Sequence, residues 1–234
     1  MIKSNSITYM NSKNTADIFA KSIVHTLWIH SMLFATIVYV ILVEYIFIQK
    51  GYLNIFFLNE AIAGTASIMI GISFAFSGFG YYFDFLDTKI AYRKYFGLIG
   101  FWYAFLYTFI LAVLNPQKYV YGLFIHFWSV DIILGCVALM IFTFMALIST
   151  RWAMRRMGVV YWRRGLRLGY FAYILLIIRA VIIEGDMWRD WFAYPHSLPP
   201  VRLLGSIFAG GVLFFRGSMI ISDFFHKRKN NSTV

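Results

Sequence analysis

Six apolar runs dominate this sequence and limit the folds that it can adopt. They cover residues 24–48, 58–83, 95–114, 130–149, 168–183 and 203–221. A helix needs about 20 predominantly apolar residues to cross the hydrocarbon core of a bilayer. Because that core offers no water to backbone amides, a spanning segment must satisfy its own hydrogen bonds, as a helix does. The sequence therefore predicts an all-α fold, an integral membrane bundle of six transmembrane helices.

Two segments leave their boundaries open. The fifth run is the shortest, but basic residues at 163–167 can extend its helix into the headgroup layer while their side chains snorkel to phosphate. The aromatic segment 119–129 fits either an interfacial turn or an outward extension of the fourth helix. Residues 185–200 combine tryptophans with prolines, which predicts an outer loop lying on the membrane surface.

The distribution of lysine and arginine predicts the orientation, because cytoplasmic loops retain positive charge. Fifteen basic residues flank the spans on the side of the chain ends and four on the other side, which are Lys50, Lys118, Arg189 and Arg202. This contrast predicts a multi-pass protein of a bacterial-type inner (plasma) membrane with both termini in the cytoplasm. The predicted organisation is a polar N-terminal tail at 1–23, a transmembrane domain at 24–222 and a basic tail at 223–234.

Several classes of function are excluded by what the sequence contains. The net charge of +11 is divided among loops and does not form one basic surface, which argues against nucleic acid as a partner. Cys136 is the single cysteine, so this chain alone makes no disulfide, thiolate zinc site or iron–sulfur cluster. Phosphate-binding glycine loops, dinucleotide fingerprints and metalloprotease helices are not found. The lipid bilayer is the predicted partner.

Two segments carry a resemblance to a known family. Residues 93–107 read RKYFGLIGFWYAFLY, and residues 149–173 read STRWAMRRMGVVYWRRGLRLGYFAY. The first resembles the basic, glycine-leucine and aromatic entry to the third helix of the ferric reductase-like transmembrane family. The second is similar to that family's cytoplasmic link into its fifth helix. The likeness extends over about residues 59–183 and is strongest to bacterial membrane haem subunits that supply electrons to periplasmic methionine sulfoxide reductases.

The resemblance implies haem b, and in some members flavin, with histidine ligands on the third and fifth helices. In this sequence those positions fall on Tyr107, Leu166 and Arg179. Tyrosine can ligate ferric haem, whereas leucine and protonated arginine offer no lone pair to iron. We therefore expect no haem at the family sites. None of the five histidines is assigned as a ligand, and no metal site or catalytic residue is predicted.

Charged residues inside the predicted spans form the candidate site. Arg179 lies in the outer half of the fifth run, and a charge in hydrocarbon costs about 2.5 to 3.5 kcal/mol on insertion scales. Asp131 is its favoured partner, and the alternatives at similar depth are Glu44, Glu60 and Glu184. Such a cluster fits an ion pair that fixes helix packing. It also fits a proton path, a substrate site or a quinol-like site.

Three functional hypotheses follow from these patterns. The first is a ferric reductase-like membrane protein without the usual haem ligands, which acts through an intramembrane polar site or through a periplasmic or cytoplasmic oxidoreductase partner. The second is a transmembrane electron-transfer subunit with unconventional haem or flavin binding. The third is a small transporter, for which inverted repeats and paired broken helices are not evident.

Overall fold

The structure, a computed structural model, describes residues 3–82, 90–121, 129–195 and 198–231. These residues form six long helices and one short π-helical turn, Gln117–Tyr121, and they contain no strand. In chain order the helices are α1 (Lys3–Lys50), α2 (Ile55–Tyr82), α3 (Ile90–Leu114), α4 (Val130–Ile148), α5 (Arg151–Ala193) and α6 (Val201–Asn231).

All six helices are long and apolar enough to cross a membrane, which confirms the predicted fold class. The candidate spans are Ser22–Lys50, Ile55–Phe76, Ala91–Leu114, Val130–Ile148, Val160–Ala193 and Val201–Met219. The protein is therefore an integral, multi-pass membrane protein. We call the side of the bundle on which α1 begins the terminal side. The opposite side is the distal side.

Helix α5 differs most from its predicted boundaries. Its candidate span has 34 residues, whereas the apolar run covers only 168–183; the predicted extension through the basic residues 163–167 is part of the helix. At about 1.5 Å per residue this helix is longer than the hydrocarbon core is thick, so its ends reach the headgroup layers. The basic flank is helical because it continues the i to i−4 hydrogen bonds. On the distal side the helix ends at Ala193, so much of the predicted surface loop at 185–200 is helical.

A break near the start of α5 separates a short first segment from the long span. Gly158 has a φ of 75° and a ψ of 156°, a conformation open essentially only to glycine. The Thr150 side chain caps the first segment by accepting a hydrogen bond from the amide of Ala153. The Trp162 indole donates to the carbonyl of Ile148 over 2.9 Å, which joins the start of the span to the end of α4.

Helix α2 lies at the centre of the bundle. It packs most extensively on α3 and also contacts α1 and α6, while α4 packs on α5. The largest buried cluster joins α2, α4, α5 and α6 through Phe74, Phe142, Tyr173 and Ala209. The Tyr173 hydroxyl donates to the carbonyl of Ser67 over 2.7 Å, so the polar end of this buried ring is satisfied.

The polar tail predicted at 1–23 is helical from Lys3 and continuous with the first span. Helix α6 likewise continues past its span to Asn231. The aromatic segment 119–129 is a π-helical turn up to Tyr121, and its residues 122–128 lie outside the described part of the chain.

Candidate functional site

A central cavity of about 150 Å³ lies among α2, α3, α4, α5 and α6. Much of its wall consists of glycine, alanine and serine residues, which include Ala63, Gly64, Ser67, Ala104, Gly135, Ala138, Ala180, Gly205 and Ser206. Small side chains leave space that larger ones would fill. Three charged side chains also line it, Glu60, Arg179 and Arg202, together with the hydroxyl-bearing residues Tyr107, Thr108 and Tyr173. The cavity is therefore a largely apolar chamber with charged side chains in its wall, inside a membrane-spanning bundle.

Arg179 reaches from α5 toward the distal end of α4. Its Nε donates to the main-chain oxygen of Asp131 over 2.9 Å. The guanidinium lies against Gly135, where an added Cβ would be 3.1 Å from Cζ and 3.2 Å from Nε of Arg179. A larger residue at position 135 would press on the guanidinium, so glycine at this point of α4 makes room for the charge.

The predicted partners Arg179 and Asp131 thus meet, but they meet through the main chain. The Asp131 carboxylate, which is nearly buried, accepts instead from the Ser129 hydroxyl over 2.9 Å. Among the described residues, which include every acidic residue placed on the distal side, no carboxylate oxygen lies within 4.0 Å of the Arg179 guanidinium. Its charge therefore faces the cavity without an ion-pair partner in the described chain.

The ion pair at this end of the bundle joins two other residues. Arg202 Nη1 lies 2.7 Å from Glu184 Oε1, with side chains 31% and 12% exposed. The Trp188 indole also donates to Glu184 Oε2 over 3.4 Å. Arg202 lies in the first turn of α6 and lines the cavity. Because its side chain is also partly exposed, the cavity reaches the surface of the bundle beside it.

Arg202 was not among the predicted site residues, because its place in the sequence assigns it to the distal loop charges. The sequence signal that could have indicated Arg202 is its position directly before the sixth apolar run. An arginine at the edge of a span can turn inward as readily as it snorkels outward, and only the packing of α5 against α6 decides which occurs.

The remaining predicted acids differ in their positions. Glu60 lines the cavity from α2 and is half-buried, and no described basic side chain lies within 4.0 Å of its carboxylate. It interacts electrostatically with Arg202, Glu184 and Lys50 at longer range. Glu44 is exposed on α1 and is not part of the cavity wall. The structure therefore gathers Glu60, Glu184 and Arg179 near one chamber and leaves Glu44 outside.

Two of the three family haem positions, Tyr107 and Arg179, line this central cavity. The third, Leu166, lines a second cavity of about 240 Å³ on the terminal side, together with Trp162 and Arg93. Ile70 and Phe142 contribute to both cavity walls. The two chambers are thus stacked along the bundle and share part of one wall.

The residues around these chambers do not fit axial ligation of haem. Of the described histidines, His25 and His30 are exposed on α1, and neither lines a cavity. His30 Nδ1 instead lies 3.1 Å from the Tyr92 hydroxyl. His126 and His196 lie outside the described residues. A phenol at Tyr107 is the one possible ligand at the three positions.

Within the described chain, no group of three histidine, cysteine or acidic residues can hold a metal ion. The fold and the site together define a six-helix integral membrane protein with a charged chamber between its helices. No protein-family model matches this sequence, and no curated protein matches it at a significant level.

Proposed function

We propose that this protein is a haem-free membrane protein of the ferric reductase-like type, which acts through the charged central cavity. The proposal places it in a bacterial-type inner membrane with both termini in the cytoplasm. One observation carries it: Arg179, at a position where the resemblance implies a haem ligand, lines a chamber with Tyr107 and has no carboxylate partner among the described residues.

Arg179 carries its positive charge inside a candidate membrane span. An arginine in a span is costly unless it reaches water or an opposite charge. The carbonyl of Asp131 accepts one hydrogen bond of the guanidinium, which leaves most of its five N–H donors for the cavity. An ion pair made only to fix packing would have a carboxylate beside it. The arrangement instead favours binding of a polar ligand that enters beside Arg202 from the distal side.

Absorbance of the detergent-purified full-length chain, from cells supplied with a haem precursor, tests the proposal. We expect no Soret band and no pyridine haemochrome. A stoichiometric haem signal would overturn the proposal. If Tyr107→Phe then removed that signal, while the neighbouring Thr108→Val kept it, electron transfer with unconventional haem ligation would replace the proposed function.

The stacked chambers favour a small transporter as the second candidate. Ile70 and Phe142 belong to both walls, so they form part of the barrier between the distal and terminal cavities. If the chambers are two halves of one path, Ile70→Ala with Phe142→Ala should raise solute flux into proteoliposomes. The matched variant Phe214→Ala, at a side chain 80% exposed on the outside of the bundle, should leave the flux unchanged. Equal fluxes for all variants would count against transport.

A further inference from the structure

The second cavity lies at the terminal-side boundary of the membrane. Its wall is built where α3 and α5 begin their spans and where α4 ends. Arg93 is the third residue of the α3 span, Ser149 directly follows α4, and Trp162 lies near the start of the α5 span. Because these residues mark the ends of spans, the cavity lies at the depth of the lipid headgroups.

Two basic side chains of α3 line this cavity, Arg93 and Lys94. The Ser73 hydroxyl donates to the carbonyl of Arg93 over 2.8 Å, which fixes this turn of α3 against α2. A third cation, Arg216 of α6, lies within electrostatic range of Arg93. Its Cζ is 5.6 Å from the centroid of the Tyr170 ring, a cation–π contact that holds the guanidinium there. Three positive charges are therefore gathered at one end of the bundle.

The described part of the chain supplies no ion-pair partner for these three cations. Both ion pairs among the described side chains lie on the distal side and use other residues. Arg93 is half-buried, so its guanidinium has lost part of its hydration. Like charges repel one another, and a desolvated charge is costly unless an opposite charge compensates it. An anion bound between Arg93 and Lys94 would reduce both costs.

Most of the remaining wall of this cavity is apolar. Phe74, Leu98, Phe101, Met145 and Leu166 supply this surface from four different helices. A small soluble anion would leave these side chains uncovered, whereas a hydrocarbon chain would remove their surface from water. The occupant that matches both parts of the wall is an amphiphile with an anionic head and an apolar chain.

We propose that the terminal-side cavity binds an anionic phospholipid, with its phosphate on Arg93 and Lys94 and an acyl chain against Phe101 and Leu166. Arginine can donate two parallel hydrogen bonds to a phosphate, and lysine adds a second positive charge. Basic pockets between transmembrane helices recognise anionic headgroups in this way. The proposal concerns a different cavity from the proposed function and does not depend on it.

Three compounds that share parts of the ligand test the proposal on the unmodified protein. Phosphatidylglycerol carries an anionic phosphate and two acyl chains, phosphatidylcholine with the same chains has no net charge, and glycerol 3-phosphate has the anion without the chains. Native mass spectrometry of the detergent-purified full chain should give phosphatidylglycerol a Kd at least about tenfold lower than either of the others.

Two results would overturn the lipid proposal. One is equal affinity for the two phospholipids, or no saturable binding of phosphatidylglycerol. The other is binding of glycerol 3-phosphate as tight as that of phosphatidylglycerol, which would assign the cavity to a soluble phosphate compound.

Variants then locate the bound lipid. Arg93→Gln combined with Lys94→Gln should remove the preference for phosphatidylglycerol over phosphatidylcholine. Arg155→Gln combined with Arg156→Gln is the matched control, because it removes two charges from exposed positions of α5 that do not line the cavity. Loss of the preference in both double variants, or in neither, would contradict the assignment to this cavity.

A single variant keeps the test decisive if the cavity double variant fails to fold. Lys94 is exposed, so Lys94→Gln should not disturb the packing of the bundle. We expect this variant to raise the Kd for phosphatidylglycerol about fivefold, which corresponds to about 1 kcal/mol for one basic residue at the membrane surface. An unchanged Kd would contradict the role of Lys94.

Discussion

The ion pair between Arg202 and Glu184 fixes α6 against α5 on the distal side, and its removal is the clearest perturbation of this bundle. The perturbation is a double-mutant cycle of Glu184→Gln, Arg202→Met and the combined variant. The N–O distance of 2.7 Å and the side-chain exposures of 31% and 12% describe a short, partly desolvated pair. Removing one partner of such a pair lowers the free energy of unfolding more than removing both partners does.

The expected coupling free energy between Arg202 and Glu184 follows from this geometry. Two unit charges about 4 Å apart attract by about 4 kcal/mol at an effective dielectric constant of about 20. Partial exposure and the loss of side-chain entropy reduce that value, and hydrogen bonds to charged groups contribute about 1.5 to 3 kcal/mol net. We therefore expect a coupling free energy of about 1.5 to 3 kcal/mol, measured by SDS-induced unfolding in mixed micelles.

Two further cycles serve as controls in the same assay. Arg189 and Asp186 are 3.7 Å apart with side chains 84% and 98% exposed, and solvent screening should leave their coupling unmeasurable. Arg179 bonds to the main chain of Asp131, so Asp131→Leu keeps that hydrogen bond and its cycle with Arg179→Leu should be close to additive. Equal couplings in all three cycles would contradict a specific ion pair between Arg202 and Glu184.

Three shorter predictions concern packing, backbone conformation and orientation. Gly100→Ala should destabilise the protein by about 1 to 3 kcal/mol, because a Cβ there would lie 2.7 Å from Cγ1 and 3.0 Å from the amide nitrogen of Ile70. Gly210→Ala is the control, since an added Cβ there meets nothing within 4 Å and should not destabilise the protein. Gly158→Ala should cost about 1 to 3 kcal/mol in the same unfolding assay, because its φ of 75° strains a residue with a Cβ. A reporter fused after Val234 should report cytoplasmic location, and a signal from the other side would contradict the charge distribution.

The number and places of the spans could be predicted from the sequence, because lipid requires a long apolar run for each crossing. The distal end of α5 could not be predicted. Residues 185–193 have the mixed composition of a loop, but nothing within them interrupts the hydrogen bonds of a helix, and the first proline beyond is Pro195. Hydropathy predicts which residues face lipid. The ends of a helix depend instead on local backbone hydrogen bonds and caps.

The sequence predicted which charged residue types form the site, but only some of the contacts between them. Depth along the spans placed Arg179 near Asp131, and the two do meet. Depth alone could not show that Arg179 bonds to a main-chain oxygen of Asp131, since this depends on the rotation of α4 about its axis. The pairing of Arg202 with Glu184 could not be predicted for the same reason. A residue at the edge of a span faces either the surface or the interior, according to how the helices pack.

The proposed function requires that water reaches the cavity that Arg179 lines inside the bundle, and thiol labelling in nanodiscs measures this access. Both faces are accessible in a nanodisc, so orientation does not enter. In a Cys136→Ser background, Ser206→Cys places a thiol on the cavity wall, and Phe214→Cys places one on the same helix at a side chain 80% exposed on the outside of the bundle. We expect a membrane-impermeant methanethiosulfonate to modify the thiol at 206 and not the one at 214. A thiol at 206 as unreactive as the one at 214 would contradict the claim.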